Sequence, residues 1–290
     1  MAQRSKSHPD NVPGALFVDR SCIDCGTCYE YLPWVFKAAG DHSRVFRQPQ
    51  GPSDRFHALM ALLACPTGSI GTDDPVGLKE AQGAFPDPIE EEVSFCGFTS
   101  ENSFGAWSYF IQRPEGNVLV DSPRAVPALV KRLEELGGVA WMVLSHKDDV
   151  ADHARFQERF RCRRVLHRAD LGGPIPEVEL PVDGEDPVRL APDLLYIPTP
   201  GHTAGSGCLL YRDKFLFSGD HLWWNPHRRM LSASPTYCWH HWPTQIKSLE
   251  RLLAYDFTWV LPGHGHSHRA GTPAAMRENL EEAIAYLKRL

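Results

Sequence analysis

Residues 194–206, L-L-Y-I-P-T-P-G-H-T-A-G-S, run an apolar tetrapeptide through a Pro-Gly turn into His202. The pattern recurs three times. V-A-W-M-V-L (139–144) leads into Ser145-His146, with Asp148, Asp149, Asp152 and His153 close behind. K-F-L-F (214–217) runs into S-G-D and delivers Asp220, and T-W-V-L (258–261) runs into P-G-H and delivers His264. Short apolar runs bounded by Gly and Pro read as buried strands. Side chains that follow the carboxyl ends of several strands can meet at one edge of a sheet, where α/β proteins place their sites. Gly201, Gly219 and Gly263 stand directly before three of these residues and permit the tight turns that aim a side chain inward. Imidazole and carboxylate together are donors for zinc, iron or manganese. The pattern therefore predicts a metal centre at the edge of an α/β sheet.

Strands are also expected at 93–98, 108–112 and 118–120. A helix is expected over 124–136, started by Pro123 and stopped by Gly137-Gly138, and another from Pro273, capped by Thr272. The aromatic stretch 221–242 fits either a wall over the metals or a core element, with His227, His240 and His241 as pocket candidates. The basic run Arg155, Arg159, Arg161, Arg163, Arg164 and Arg168 reads as a solvated helix face, and His8, His42 and His57 as surface residues.

The N-terminal part has a different chemistry. Cys22, Cys25 and Cys28 form a C-x-x-C-x-x-C run, and Cys65 follows before Pro66. Thiolates at this spacing converge when the chain loops around a centre, and four of them suit a cubane cluster or zinc. Tyr29, Tyr31, Trp34, Phe36, Phe46 and Phe56 are expected to cover it. The expected organisation is a flexible tail over 1–12, the cysteine-bearing segment over 13–75, a linker over 76–89 rich in Gly, Pro and acids, and a larger segment over 90–290.

The 290 residues suffice for one large or two smaller cores, and the 42% hydrophobic content excludes wholesale disorder. No apolar run is long enough to span a bilayer, and M-A-Q-R-S-K-S-H-P-D-N-V-P-G lacks the apolar stretch of a signal peptide. A formal charge of −6 gives no reason to expect nucleic acid or an anionic membrane as partner. An oxygen-sensitive cluster on these cysteines would imply a reducing interior, so the expected location is cytoplasmic.

Two resemblances follow from these motifs. C-I-D-C-G-T-C (22–28) with A-C-P-T-G-S-I (64–70) resembles the bacterial-type ferredoxin motif in its single-cluster form. That resemblance implies a small α+β ferredoxin-like domain with one [4Fe–4S] cluster on Cys22, Cys25, Cys28 and Cys65. T-P-G-H-T-A-G-S (199–206), F-S-G-D-H-L (217–222) and L-P-G-H-G-H-S-H (261–268) resemble the later signatures of the metallo-β-lactamase superfamily over roughly residues 90–290. This resemblance implies an αββα sandwich and two divalent metal ions. The family's first signature, His-x-His-x-Asp-His, stands here as His146-Lys-Asp148-Asp149-Val-Ala-Asp152-His153, with a carboxylate for the second imidazole and two extra residues. The implied ligands are His146, Asp148 and His202 for one metal and Asp152, His153 and His264 for the other, with Asp220 bridging. Asp149 competes with Asp148 for its place. Asp152 and Asp220 are the implied catalytic carboxylates.

The implied function is metal-dependent hydrolysis of a small-molecule substrate, with a fused electron-transfer module that takes a redox partner protein. The alternative is an oxidoreductase whose cluster feeds electrons to a diiron centre. A carboxylate in place of imidazole hardens the site and moves its preference from zinc toward iron or manganese. Flavodiiron proteins of the same superfamily also carry a carboxylate there.

Overall fold

The computed structural model describes residues 2–290 and divides into two compact units: the chain up to Ala140 together with Ala151–Arg161, and Trp141–Val150 together with Cys162–Leu290. The fold is mixed α/β with several sheets. No helix is long and apolar enough to cross a membrane.

In the first unit, strand Leu16–Val18 pairs antiparallel with Ile70–Thr72, and Phe36–Ala38 with Ser43–Val45. Helices Thr27–Tyr31 and Gly51–Ala64 lie between these strands in sequence. Their shared core holds Leu16, Val18, Leu32, Val35, Phe36 and Ala61 together with Cys28 and Cys65, and Tyr29 and Tyr31 pack against it. Trp34, expected as cover, is 44% exposed.

The tail expected over 1–12 is tied down over its described part. The Asn11 amide donates to the carbonyls of His8 (2.8 Å) and Val18 (2.8 Å) and accepts from the N–H groups of Val18 (3.1 Å) and Val45 (3.0 Å). One side-chain amide thus supplies the hydrogen bonds a further strand would have made. His8 and His42 are partnered as well: their rings stack at 3.6 Å, and His42 Nε2 lies 3.2 Å from Asp10.

The linker expected over 76–89 is also ordered. It forms helix Leu78–Gly83 and the first residues of strand Asp87–Glu90, and buries Ala81 and Phe85. Its Gly and Pro residues mark the ends of these short elements, and two apolar side chains anchor them. Strands Asp87–Glu90, Val93–Phe95, Tyr109–Ile111 and Val118–Val120 then pair antiparallel in succession. The next helix spans Pro127–Glu135 rather than starting at 124. Proline drives the residue before it into extended backbone, and Val126 has ψ 145, so the helix begins with Pro127 at its first position.

In the second unit, Trp141–Val143, Arg163–His167 and Leu180–Val182 run parallel. The arginine run therefore continues into a strand, and Arg164 is buried, with a bidentate ion pair to Glu179. A six-stranded sheet follows in the order Val188–Ala191, Leu194–Pro198, Gly207–Tyr211, Phe215–Gly219, Trp259–Pro262, His268–Arg269. Leu194–Pro198 and Phe215–Gly219 are both antiparallel to Gly207–Tyr211, and Trp259–Pro262 is parallel to Phe215–Gly219. Three strands therefore point the same way, and their carboxyl ends, followed by His202, Asp220 and His264, share one edge. Helices Trp242–Leu252 and Pro273–Leu287 bury Ile246, Leu249, Leu280 and Ile284 in a common core with Leu210, Leu216 and Val260. The Thr272 hydroxyl accepts from Ala275 N–H at 3.1 Å, as expected for the cap.

Asn11→Ala removes five side-chain hydrogen bonds from the first unit, the fifth being that from its amide to the Ser7 hydroxyl. It is expected to lower stability by about 2 kcal/mol in urea titrations, since each bond contributes ~0.5–1.5 kcal/mol and water replaces part of the loss. A change below experimental scatter would show that the N-terminal segment is not integral to the unit.

Candidate metal centre

His146 follows strand Trp141–Val143 and is held by its neighbour: Ser145 Oγ lies 2.9 Å from Nδ1. That contact orients the ring and leaves Nε2 facing inward. His202 stands edge-on to it, with ring centroids 4.7 Å apart. Both Nε2 atoms are buried and have no hydrogen-bond partner. Around them lie three carboxylates. His146 Nε2 is 3.9 Å from each of Asp148, Asp149 and Asp220, and His202 Nε2 is 3.9 Å from Asp148 and 3.8 Å from Asp220. These separations are too long for hydrogen bonds. They lie within the span of two coordination bonds of about 2.1 Å to one shared ion. Buried imidazole nitrogens without partners, each within ion-sharing distance of carboxylates, form a donor set that fits divalent metal.

The donors fall into two overlapping groups, His146·Asp148·His202 and His146·Asp149·Asp220. His264 joins through Nδ1, which lies 2.8 and 2.9 Å from the two oxygens of Asp220. Burial opposes ionisation of Asp220, but the imidazoles of His264, His146 and His202 outweigh it and hold its carboxyl well below the usual range. Gly263 makes room for this packing, because a Cβ there would stand 2.7 Å from Asp149 Oδ2 and 2.9 Å from Asp220 Oδ1.

A buried carboxylate behind the site fixes two of its loops. Asp170 accepts from Lys147 N–H (3.1 Å), the Thr203 hydroxyl (2.5 Å) and Gly205 N–H (2.8 Å). The loop after Trp141–Val143 and the loop after Leu194–Pro198 are thus bonded to one side chain. Nothing in the motif marked Asp170, although it too follows a strand end, in H-R-A-D (167–170). His221 was also passed over. It is 1% exposed, and neither ring nitrogen has a hydrogen-bond partner. Its place directly after Asp220 was the available signal.

Of the implied ligands, His146, Asp148, His202, Asp220 and His264 come together within one unit. Asp152 and His153 belong to the other compact unit. There Asp152 Oδ2 accepts from Ala125 N–H (2.8 Å) and Arg155 (3.2 Å), and His153 opens helix His153–Phe160. Among the described residues the carboxylate grouped with His146 and Asp220 is Asp149, which is 1% exposed. The two extra residues of the altered motif give the chain a turn in which Asp149 points inward before the helix begins.

The stretch 221–242 divides between its two expected roles. Leu222 and Leu231 are core, whereas Tyr237 and Trp239 are exposed. The exposed part is tied to the ligand loop: Trp239 and His240 N–H donate to the His202 carbonyl (2.9 and 3.0 Å), and His241 N–H to that of Gly201 (3.0 Å).

In the first unit, Cys22, Cys25, Cys28 and Cys65 line one cavity, and all are free thiols. Ser43 N–H points at Cys22 Sγ and Ser69 N–H at Cys65 Sγ, each at 3.3 Å. Burial pushes the Cys25 thiol up to about 12 and that of Cys28 well above its ordinary value, so thiolates here need bound cations. Four sulfurs around one cavity, two of them receiving backbone N–H groups, fit an iron–sulfur cluster.

Comparison with known proteins agrees with both halves. Residues 18–72 match the family described as the 4Fe-4S single cluster domain of Ferredoxin I. The DIM-1 metallo-β-lactamase is similar over 67% of this chain and 95% of its own, at 13% identity and a TM-score of 0.51. The chain carries the metallo-β-lactamase fold. ETHE1 from Myxococcus xanthus is similar over 67% of this chain and 89% of its own (21% identity, TM-score 0.47). An archaeal metallo-β-lactamase superfamily protein from Sulfolobus tokodaii is similar over 61% and 79% (18% identity, TM-score 0.45). No curated protein sequence matches the chain.

Two outcomes follow for the metal-free protein. Asp170→Ala takes the acceptor from the Lys147 and Gly205 N–H groups and leaves the Thr203 hydroxyl only Ser206, and is expected to cost about 2–4 kcal/mol in chemical denaturation and to weaken metal uptake. Unchanged stability would show that the two loops hold themselves. The second outcome concerns pH. Burial, reinforced by His202, lowers His146 to about 4 and His221 to about 3. Below the ordinary histidine pKa of ~6.5 the unfolded chain binds protons that these buried rings refuse. Stability should therefore be complete above pH 6.5 and decline from there toward pH 4–3, by up to about 1.4 kcal/mol per pH unit for each ring. Denaturant midpoints flat across that window would contradict it.

Proposed function

We propose that this chain is a metal-dependent hydrolase of small-molecule esters or thioesters, with a [4Fe–4S] cluster on Cys22, Cys25, Cys28 and Cys65. The observation that carries it is the convergence of two buried, unpartnered imidazole nitrogens and three carboxylates at one sheet edge. His146, Asp148 and His202 would hold one divalent ion and Asp149 and His264 a second, with Asp220 shared. Bound there, the ions supply a Lewis acid and a water acidified toward neutrality.

The chain's own residues do the rest. Asp220, held well below the usual carboxylate range by the imidazoles around it, stays ionised and with Asp149 would offset the cation charge. Asp148, whose side chain is 45% exposed, lies at the solvent edge of the group and can pass a proton outward from its carboxylate. Asp170 and Ser145 keep the ligand loops and the His146 ring in place. Trp239, its ring 6.3 Å from that of His202 and 64% exposed, presents an apolar wall to the non-reacting part of the substrate.

One observation favours a second reading, an oxidoreductase in which a redox-active metal pair works with the cluster. The donor set contains as many carboxylates as imidazoles, and such hard donors prefer iron or manganese to zinc. Metal analysis of protein purified without oxygen separates the two. Hydrolysis of an ester and thioester panel by the zinc- or manganese-loaded protein supports the first reading. A diiron content, with no turnover on that panel, supports the second. Asp220→Asn should lower hydrolysis by more than about 100-fold and reduce bound metal, since losing even a residue behind the ligands costs 10–100-fold. Full activity in that variant would exclude Asp220 as the shared ligand.

A further inference from the structure

Arg124 lies against the cysteine loops within the first unit and is half-buried. Its backbone N–H donates to the Phe98 carbonyl (2.8 Å) and its Nε to that of Thr99 (2.7 Å). One Nη reaches the carbonyls of Leu63 (3.2 Å) and Cys65 (3.1 Å). The segment it holds also touches the cysteines. Thr99 donates twice to the Ala64 carbonyl, the Thr27 hydroxyl donates to that of Gly105, and a Cβ at Gly105 would stand 2.7 Å from Cys25 Sγ. On the other side, the next residue's N–H is bonded to Asp152. Burial works against the Arg124 charge, and Cys65 and Asp152 are the two anionic groups that support it.

We propose that Arg124 is a positioning residue whose cation sets the reduction potential of the cluster, and that Asp152 opposes it. The inference rests on the reading of the four cysteines as cluster ligands. Reduction of a [4Fe–4S]²⁺ core to [4Fe–4S]⁺ adds one electron from an external reductant; no bond is made or broken and no proton moves. With four thiolates the net charge passes from −2 to −3. A nearby half-buried cation stabilises the more negative state more strongly, because partial exclusion of water leaves the attraction poorly screened. The carboxylate of Asp152 cancels part of that field.

Potentiometric titration of the anaerobically purified full-length protein, followed by visible absorption and EPR, tests this. Arg124→Gln should move the midpoint negative by about tenfold in the reduction equilibrium, ~59 mV for one electron. Arg124→Lys should stay close to wild type, and Asp152→Asn should move the midpoint positive. Opposite signs for the two neutralising variants separate charge from mere loss of packing, which would shift both the same way and overturn the proposal. Unmoved midpoints in cluster-loaded variants would also overturn it. If Arg124→Gln fails to hold a cluster, Asp152→Asn decides alone, and a midpoint that does not rise rejects the proposal. A wild-type protein with no iron–sulfur chromophore would instead reject the cluster reading itself.

Discussion

A single buried carboxylate, that of Asp170, is bonded at once to the loop that carries His146 and to the loop that carries His202. Burying such a charge is costly unless donors surround it, and three donors do. Because they come from two loops, neither loop can shift without stripping the carboxylate of a partner. The imidazole rings therefore keep their inward-facing nitrogens together without a hydrogen bond between them. A site meant for an ion has to be held this way from outside, since direct bonds between the ligands would fill the space the ion needs.

The sheet supplies the other half of the constraint. Leu194–Pro198, Phe215–Gly219 and Trp259–Pro262 run in one direction, so His202, Asp220 and His264 reach one edge from chain positions up to 62 residues apart. This much was legible, because each strand is a short apolar run ended by glycine and a single polar donor. The closing helix was legible for a similar reason, with Thr272 and Pro273 both marking its start. The cysteine segment was legible because the spacing of four thiols constrains the chain more tightly than any hydrophobic pattern.

What was not legible depended on partners distant in sequence. The linker composition of 76–89 gave no hint that Ala81 and Phe85 would be buried. The tail gave no hint that Asn11 would replace a strand edge. Nor could spacing decide among Asp148, Asp149 and Asp152, since an insertion of two residues can be absorbed in the turn or by sliding the helix start. The structure absorbs it in the turn. Helix His153–Phe160 begins at the motif histidine, Asp152 turns to Ala125 N–H, and Asp149 is left to face His146. The helix expected at 124 failed for a local reason that was in plain view, the proline at 127.

The carboxylate of Asp148, standing where the family motif has an imidazole, bears on the charge balance that the proposed metal pair would meet. With two divalent ions bound as proposed, Asp148, Asp149 and Asp220 would set three negative charges against four positive ones. Replacing Asp148 with the imidazole of the family motif would leave two positive charges uncompensated rather than one. On the proposed reading, the smaller residual field would hold an anionic substrate less firmly and favour a neutral acyl group, which the exposed Trp239 beside His202 would receive. It would also lower the cost of oxidising a bound ion, because added positive charge meets more carboxylate. The same substitution thus bears on both substrate charge and metal redox state, and for that reason the identity of the bound metal separates the two readings of the site.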